Sequence, residues 1–498
     1  HGVPTMERKE TGVLCHISSL PGKYGIGSLG KEAYKFARLL KKSGVKYWQV
    51  LPLVQTGYGD SPYSSVACTS GNPYFIDLDM LAAEGLLTKQ ELAAAQHTGA
   101  IDYGALYNER YVTLRKAFSR FFFDSEEFRA FVRSGVCEDY ALFMTAKKVY
   151  GENFLVWEEP LKFRDPDALE KLCTDFHEEY LFWNFLQYEF RRQWKALKAY
   201  CNGLGIRIIG DIPLYVAADS ADVWAHPELF KLDQDLRPTK VAGVPPDYFS
   251  ETGQLWGNPI YDWSAHEKEN FTWWTGRLND ALETYDIVRI DHFRGIDRYY
   301  EIPAFAENAV KGEWKEGPGK KLFACIRDKD RFIAEDLGII DEGVVSLRDG
   351  LGFPGMKVLL FAFDGDPGNE FLPSNITENS VCYTGTHDND TVAGYVKTLS
   401  AEELLLFRSR VAQTLQEQRK YIRLGKKPED VAQALCKLAL SVRSKLTVLP
   451  VQDILGLDNS ARMNHPSTEQ GNWRFRLERL PRRGVMRRLK HWIKLYRR

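Results

Sequence analysis

The chain has 498 residues, 44% of them apolar and 27% charged, which is typical of a globular protein with a sizeable core. Lys and Arg total 66 and Asp and Glu total 67, so the net charge of -1 gives no sign of a nucleic-acid or membrane-surface partner. No apolar run approaches the roughly 18 residues of a membrane span.

The cysteines and the N-terminal residues set expectations about location and cofactors. None of the eight cysteines forms a CxxC pair with another, which argues against metal binding. We expect small buried thiols in a reducing compartment, and therefore a cytoplasmic protein with no metal and no cofactor. No signal peptide is visible, and residues 1–10 are interpreted as a tag or N-terminal tail before a single catalytic unit at 11–498.

Short β-prone runs recur along the whole chain, and helical stretches separate several of them. Each run is rich in Val, Ile, Leu, Phe and Tyr and is bounded by Gly, Pro or Asp, as buried parallel strands are. The eight predicted strands span residues 12–20, 47–53, 206–212, 286–293, 331–337, 356–362, 380–387 and 446–454. The alternation predicts an α/β fold closed into a (β/α)8 TIM barrel, with an open doubly wound sheet as the alternative.

The spacing of the predicted strands is uneven, which indicates large insertions. Residues 56–205 are predicted to form a mostly helical subdomain after the second strand, residues 214–285 a lid and loop region, and residues 295–330 a short insertion. Segments that follow barrel strands lie on the catalytic face, so these should build walls around a cleft. The basic stretch 482–498 is interpreted as an amphipathic helix docked on the barrel.

Carboxylates follow three of the predicted strands at their carboxyl ends. Asp291 shares its strand face with Arg289, two residues earlier, and a neighbouring guanidinium favours the ionised acid that a nucleophile requires. Glu335 follows an apolar run, which raises a carboxyl pKa as a general acid requires. Asp388 stands in an irregular stretch where it could grip sugar hydroxyls. Two carboxylates about one sugar bond are the minimum for glycosidic cleavage, and a third can stabilise developing positive charge.

Each acid also has a structural interpretation that remains open at this point. Asp291 could serve only as an ion-pair partner of Arg289, Glu335 could be an exposed residue at a strand end, and Asp388 could form an Asx turn. Asp211, a fourth inward acid, could orient a sugar or brace Arg289. Metal binding is the competing chemistry for clustered Asp and His, but the sequence lacks the spacing of known metal motifs.

A set of short motifs resembles a known family. They are SSLPG at 18–22, GIG at 25–27, YGDSPY at 58–63, GDIP at 210–213, PPDYFS at 245–250, GQLWGNP at 253–259, RIDHFRG at 289–295, AEDLG at 334–338, THDN at 386–389 and RMNHP at 462–466. Together they resemble the 4-α-glucanotransferases (amylomaltases, or disproportionating enzymes) of glycoside hydrolase family 77, relatives of the α-amylases. Two departures are Ser467, where the family has Gly, and Phe475, where it has Trp.

The resemblance implies a function and a set of site residues. It implies transfer of an α-1,4-glucan segment to the 4-hydroxyl of another glucan or of glucose, with retention of configuration and a covalent glucosyl-Asp intermediate. It implies Asp291 as nucleophile, Glu335 as acid/base and Asp388 as transition-state stabiliser. The implied substrate contacts are Arg289, His292, His387, Asp211, Tyr63, Ser61, Gln254, Trp256 and Asn464. It also implies that no β-sandwich follows the barrel.

The implied partners are α-1,4-glucans and maltooligosaccharides, with no nucleic acid and no membrane; protein partners are unknown. Tyr248, Phe249 and Trp256, with Tyr63 opposite, are expected to form an aromatic lid that holds the acceptor sugar and displaces water. The alternatives are an α-amylase-like α-1,4-glucan hydrolase, an inactive barrel that only binds glucan, and an isomerase of sugar phosphates. The acidic residues after His387 argue against the last, because they repel phosphate.

Overall fold

The computed structural model of the chain describes residues 9–151, 153–248, 250–338, 340–419 and 421–498. Numbered along the chain, its strands are β1 (Glu10–Leu14), β2 (Tyr47–Gln49), β3 (Arg207–Ile212), β4 (Lys240–Val244), β5 (Gln254–Pro259), β6 (Ile287–Ile290), β7 (Arg298–Pro303), β8 (Glu313–Glu316), β9 (Phe332–Ala334), β10 (Gly355–Val358), β11 (Ser380–Tyr383) and β12 (Leu446–Pro450). Parallel pairing closes eight of them into a barrel in the order β1-β12-β11-β10-β9-β6-β3-β2.

The closed barrel confirms the predicted TIM fold and excludes the open-sheet alternative. Each predicted run overlaps one barrel strand, but most strands end earlier than predicted. The run 286–293 stops pairing at Ile290, and the run 331–337 stops at Ala334. Pairing ends there because the polar residues that follow turn into the mouth of the barrel. After Pro450 the described residues form helices and no strand.

The helices surround the barrel and fill the long connection between β2 and β3. They are α1 (Lys31–Lys42), α2 (Leu78–Ala83), α3 (Lys89–Ala94), α4 (Tyr103–Ala105), α5 (Tyr111–Ser119), α6 (Glu126–Arg133), α7 (Glu138–Tyr150), α8 (Glu159–Lys162), α9 (Pro166–Asp175), α10 (His177–Gly203), α11 (Ala221–Ala225), α12 (Trp263–Lys268), α13 (Thr272–Thr284), α14 (Arg294–Asp297), α15 (Glu342–Leu351), α16 (Val392–Thr398), α17 (Ala401–Glu417), α18 (Pro428–Ser441), α19 (Val451–Ile454) and α20 (Arg483–Leu495). Helices α2 to α10 lie in the predicted insertion 56–205, whose standing as a subdomain stays a prediction.

A second sheet lies beside the barrel mouth, and the sequence reasoning did not foresee it. Its strands pair in the order β5-β4-β7-β8, all antiparallel. Two strands come from the predicted lid region 214–285 and two from the predicted insertion 295–330. The two regions therefore form one sheet, which carries Gln254 and Trp256 on β5.

Helix α20 packs on the barrel as the sequence predicts. It buries Met486, Leu489, Trp492 and Ile493, and it contacts α1 and α18. Strand β1 begins at Glu10, inside the predicted tail, and residues 1–8 of that tail lie outside the described residues. In the part of the chain that the structure describes, we find no helix with the length and apolarity needed to span a membrane.

Candidate active site

The candidate nucleophile and the candidate acid leave neighbouring strands side by side. Ile290 of β6 pairs with Ala334 of β9, so Asp291 and Glu335 are the next residue on each strand. The Glu335 N–H donates to the Ile290 carbonyl at 3.0 Å, and the His292 N–H donates to Glu335 Oε2 at 2.9 Å. Parallel strands present their carboxyl ends at one edge, which is why the two acids meet there.

His292 has a backbone conformation that few non-glycine residues adopt. Its φ of 52° lies in the left-handed region, and this turn directs its N–H at the Glu335 carboxylate. Burial, with a smaller effect of Arg294, lowers the pKa of His292 to about 3, so the ring is neutral. The left-handed turn therefore ties the segment after β6 to the candidate acid.

Arg289 lies between two carboxylates inside the barrel. Its Nη1 is 2.9 Å from both oxygens of Asp211, which it faces across the β3–β6 pair, and 3.2 Å from Asp291 Oδ1. Burial opposes the charged guanidinium, but Asp211 and Asp291 raise the pKa of Arg289 well above its usual value. Asp211 thus braces Arg289, which is one of the two roles left open by the sequence. Its side chain is fully buried, and its contact with a sugar stays a prediction.

Glu335 has the protonation behaviour that the sequence reasoning expected. Burial raises the pKa of Glu335 to about 8, against the opposing effect of Arg289, and the charge of Asp291 adds to the rise. Its carboxylate also accepts the Leu337 N–H at 3.2 Å. A carboxyl group with this pKa is protonated at neutral pH and can donate a proton.

The pKa of Asp291 differs from what the sequence predicts. The sequence reasoning gave Arg289 the leading effect on this carboxyl, yet burial is larger and raises the pKa of Asp291 above its usual value. Arg289 and His387 oppose the rise, and about 30% of the Asp291 side chain remains open to the cleft. Because the guanidinium directly contacts Asp291, we assign the shared proton of the pair to Glu335 and the negative charge to Asp291.

Residues in the segment that follows β12 hold Asp388 in place. Asn464 Nδ2 donates to Asp388 Oδ1 at 2.7 Å, and Arg462 Nη2 donates to the Asp388 carbonyl at 2.8 Å. His387 Nε2 is 3.4 Å from Asp388 Oδ1. The turn in this loop is made by Asn389, whose side chain accepts from the N–H and hydroxyl of Thr386. The Asp388 side chain, about 47% exposed, is left free to face the cleft.

Tyr63 joins the loop after β2 to the same cluster. Its hydroxyl donates to Asp211 Oδ2 at 2.5 Å, and its ring stacks on His387 with centroids 4.8 Å apart. Ser61 accepts the Tyr63 N–H at 3.1 Å, so its hydroxyl shapes this turn. The structure therefore gathers Tyr63, Asp211 and His387 at one side of the carboxylates.

Trp256 and Gln254 approach from the second sheet. The Trp256 ring meets the His292 ring edge-on at 4.8 Å, and its Nε1–H donates to Gln254 Oε1 at 3.1 Å. Trp256 is 40% exposed beside His292, and Tyr248, in the loop between β4 and β5, is 96% exposed. Phe249, the third predicted lid residue, lies outside the described residues.

Comparison with known proteins identifies the family. The family model described as 4-alpha-glucanotransferase matches residues 15–481. The chain is 48% identical to the 4-alpha-glucanotransferase of Thermus thermophilus, covering 94% of each chain, and 45% identical to that of Clostridium butyricum, covering 93% of this chain and 95% of the relative. It superposes on a Streptococcus agalactiae amylomaltase solved with acarbose at a TM-score of 0.91 and 37% identity, covering 99% and 100% of the two chains.

This chain belongs to the 4-alpha-glucanotransferase family. It is therefore a glycosyltransferase of carbohydrate metabolism on a TIM barrel of the α-amylase type, and glucans are its substrates. The family resemblance read from the motifs is confirmed.

Sequence reasoning missed two residues that the structure adds to this glucanotransferase site. Trp473 packs against both Tyr63 and His387, with ring centroids 5.9 Å from each. Arg462 holds the Asp388 and Asn464 carbonyls. Arg462 begins the RMNHP motif and could have been found there, whereas nothing in the sequence pattern marks Trp473.

A cavity of about 720 Å³ is lined by residues of α10, α13 and β3 and of the loops after β2 and β3. It reaches Tyr63 and Asp211, but its lining includes none of the three candidate catalytic carboxylates. The candidate acid Glu335, the candidate nucleophile Asp291 and the cation Arg289 lie together at the ends of β6 and β9 instead. Among the described residues, no group of three or more His, Cys, Asp or Glu side chains is arranged to hold a metal ion.

Proposed function

We propose that this 4-α-glucanotransferase acts by double displacement, with Asp291 as nucleophile, Glu335 as acid/base and Asp388 as stabiliser of the transition state. The observation that carries the proposal is the pairing of Ile290 with Ala334, which makes Asp291 and Glu335 neighbours at the barrel mouth. A retaining mechanism requires their carboxyl groups about 5–5.5 Å apart, on opposite sides of one glycosidic bond.

In the first step Glu335 donates its proton to the leaving glycosidic oxygen while Asp291 attacks the anomeric carbon. The protonation states suit this step, because Glu335 is protonated at neutral pH and Arg289 supports the charge on Asp291. The bond to the leaving sugar breaks and a covalent glucosyl-Asp291 ester forms. Asp388 faces the positive charge that develops on the sugar ring.

In the second step Glu335, now ionised, removes the proton from the 4-hydroxyl of an acceptor glucan or glucose. The acceptor oxygen attacks the anomeric carbon and releases Asp291, so two inversions leave the α configuration unchanged. The acceptor must outcompete water, which requires that it be held well and that water be displaced. Trp256 and Tyr248 are exposed at the mouth and suit that task.

We assign the remaining polar residues to sugar binding. Arg289, His292, His387, Asp211 and Asn464 surround the carboxylates and would hold the donor sugar. Tyr63 would stack on or bond the same sugar, with Ser61 fixing its turn. Gln254 and Trp256, on the second sheet, would contact the acceptor side. We also assign the enzyme to the cytoplasm, since its eight cysteines are all free thiols.

Incubation with maltotriose tests the proposal. Transfer produces glucose and a ladder of longer maltooligosaccharides, while the total concentration of reducing ends stays constant. Reducing ends that rise in step with product would instead identify a hydrolase and reject the transfer step. A 5-fluoro-glucosyl fluoride, which slows the second step, should leave a sugar on Asp291, detectable by peptide mass spectrometry. Label on another residue would overturn the assignment of the nucleophile.

A further inference from the structure

The loop that carries Asp388 is short and connects β11 to α16. It runs from residue 385 to residue 391 and contains both His387 and Asp388. The position of the Asp388 carboxylate therefore depends on how the two ends of this loop are fixed. At the ends lie Thr384, fully buried after β11, and Val392, fully buried at the start of α16.

One buried carboxylate holds both ends. Asp453 lies in α19, directly after β12, and is 2% exposed. Its Oδ2 accepts the Thr384 hydroxyl at 2.5 Å, and its Oδ1 accepts the Val392 N–H at 2.9 Å. Each oxygen of a single side chain thus anchors one end of the loop, and both anchors come from the helix that directly follows the neighbouring strand β12.

The space beneath the loop is not filled by side chains. A cavity of about 30 Å³ lies against the loop, lined by residues of this loop other than Asp388, by the end of β1 and the segment after it, and by residues of β12 and α19, including Asp453. A cavity of this size holds about one water molecule. Side chains therefore leave part of the space against the loop unfilled, and the hydrogen bonds from Asp453 contribute to its position.

We propose that Asp453 is a positioning residue that sets the place of Asp388 by clamping both ends of its loop. The proposal rests on the proposed role of Asp388 in the transfer reaction. Arg462 and Asn464, farther along the same connection, hold Asp388 directly, so the segment after β12 controls the loop at its ends and at its centre.

The charge state of Asp453 suits a clamp. Burial raises the pKa of Asp453 to about 6, while the bonds from Thr384 and Val392 oppose the rise and Asp390 adds to it. Cys436 of α18 also faces it, and burial together with Asp453 keeps that thiol protonated. At neutral pH the side chain is therefore ionised, and hydrogen bonds to an ionised acceptor are the stronger kind.

The first test is Asp453→Asn, which preserves shape but removes the charge and one acceptor. We expect kcat for maltotriose disproportionation to fall by about 10–100-fold with KM changed less than about twofold, since a shift of about 1 Å in a reacting group has this effect. Thr447→Val is the matched control, because it removes a buried side-chain bond on the same β12, to the Ala439 carbonyl, away from the loop. It should lower the melting temperature and leave kcat unchanged. An unchanged kcat in Asp453→Asn overturns the proposal.

A double-mutant cycle separates positioning from a general structural role. With α-maltosyl fluoride as an activated donor, Asp453→Asn should change kcat less than about threefold in an Asp388→Asn background, because residues that act as a unit are not additive. If Asp453→Asn lowers kcat by the same factor in the wild-type and the Asp388→Asn backgrounds, Asp453 does not act through Asp388. If Asp388→Asn alone keeps full activity, the proposed role of Asp388 fails, and that result is independent of the Asp453 measurement.

Thr384→Val keeps the proposal testable if Asp453→Asn does not fold. It removes one anchor and retains the other, so we expect a smaller loss of kcat, again absent in the Asp388→Asn background. No loss in a folded Thr384→Val variant would overturn the clamp.

Discussion

Arg289 is the residue on which the charge balance of the active site depends. It is buried with Asp211 and Asp291 as ionic partners, and a buried ion that loses its partner is strongly destabilising. The same contacts distribute charge so that the proton of the acid pair stays on Glu335. One side chain thereby serves stability and chemistry together.

Replacing Arg289 by Gln should move the acid limb of the pH–activity profile to higher pH. The pKa of Asp291, already raised by burial, would rise further without the guanidinium, so more of the nucleophile would be protonated. Unfolding in urea should show a loss of about 3–5 kcal/mol, because two carboxylates lose their cation. The exposed Arg327→Gln is the control and should change neither result. An acid limb that stays in place would contradict the charge role of Arg289.

The pKa of Glu335 predicts the basic limb of the pH–activity profile. Glu335 must be protonated to donate, so kcat/KM should fall as pH rises through about 8. In Glu335→Gln, turnover of maltotriose should fall by about 10²–10⁴-fold. Formation of the glycosyl-enzyme from α-maltosyl fluoride should survive, since fluoride leaves without a proton. Rapid release of fluoride, followed as a burst, is the measurement, and its absence would argue against the acid role.

At the level of elements, close packing around the barrel strands depends on small residues as much as on large ones. Gly210 of β3 has the ring of Tyr285 directly over it, and a Cβ built there would lie 2.0 Å from Tyr285 Cγ. The Tyr285 hydroxyl in turn accepts the Leu53 N–H at 3.2 Å. A glycine is needed because the ring bridges two neighbouring strands at contact distance.

Two glycine substitutions should therefore have opposite effects on stability. Gly210→Ala overpacks the contact with Tyr285 and should cost about 1–3 kcal/mol in the free energy of unfolding. Gly484→Ala in α20 meets nothing within 4 Å and should stabilise the protein by up to about 1 kcal/mol, since Ala loses less entropy in a helix. Urea unfolding of both variants is the measurement. Equal effects would show that the close approach at Gly210 does not matter.

For the whole molecule, barrel closure is reinforced by a contact between distant parts of the chain. Arg498 is buried, and its guanidinium donates to the carbonyls of Leu440, Val442 and Glu10. These carbonyls belong to α18, the turn before β12 and the start of β1, and β1 and β12 are the pair that closes the barrel. One side chain thus links β1 to the segment before β12, where the first and last strands of the barrel pair.

Arg498→Ala should lower the free energy of unfolding by about 2–4 kcal/mol, because it removes three charged hydrogen bonds at once and leaves Val442 only its bond from Lys9. Arg497→Ala, an exposed neighbour in sequence, should change stability by less than about 0.5 kcal/mol. Thermal unfolding of the two variants gives the comparison. Activity at low temperature should remain in both, since neither residue is near the carboxylates, and similar melting temperatures would refute the role of Arg498.

Much of this fold could be predicted because its information is local. Each buried parallel strand is a short apolar run that needs no partner to be recognised, so all eight barrel strands were found, although most of their ends were placed too late. Asp291, Glu335 and Asp388 were predicted to lie together for the same reason, since strand ends in a barrel share one face. The grouping of the small antiparallel sheet was missed because its strands are separated by long stretches of chain.

Other features depend on contacts between residues far apart in the chain. Trp473 joins the site through the rings of Tyr63 and His387, which lie far earlier in the chain, and no pattern around it reveals this. The pKa of Asp291 depends on burial against the Arg289 cation, and that balance exists only after the strands have assembled. Asp453 lies in an apolar run that indicates a strand end, and its clamp on the Asp388 loop requires β11 and β12 to be neighbours. Local patterning specifies the barrel and the types of residue at its mouth, whereas the electrostatics and supports of the site arise from how the strands come together.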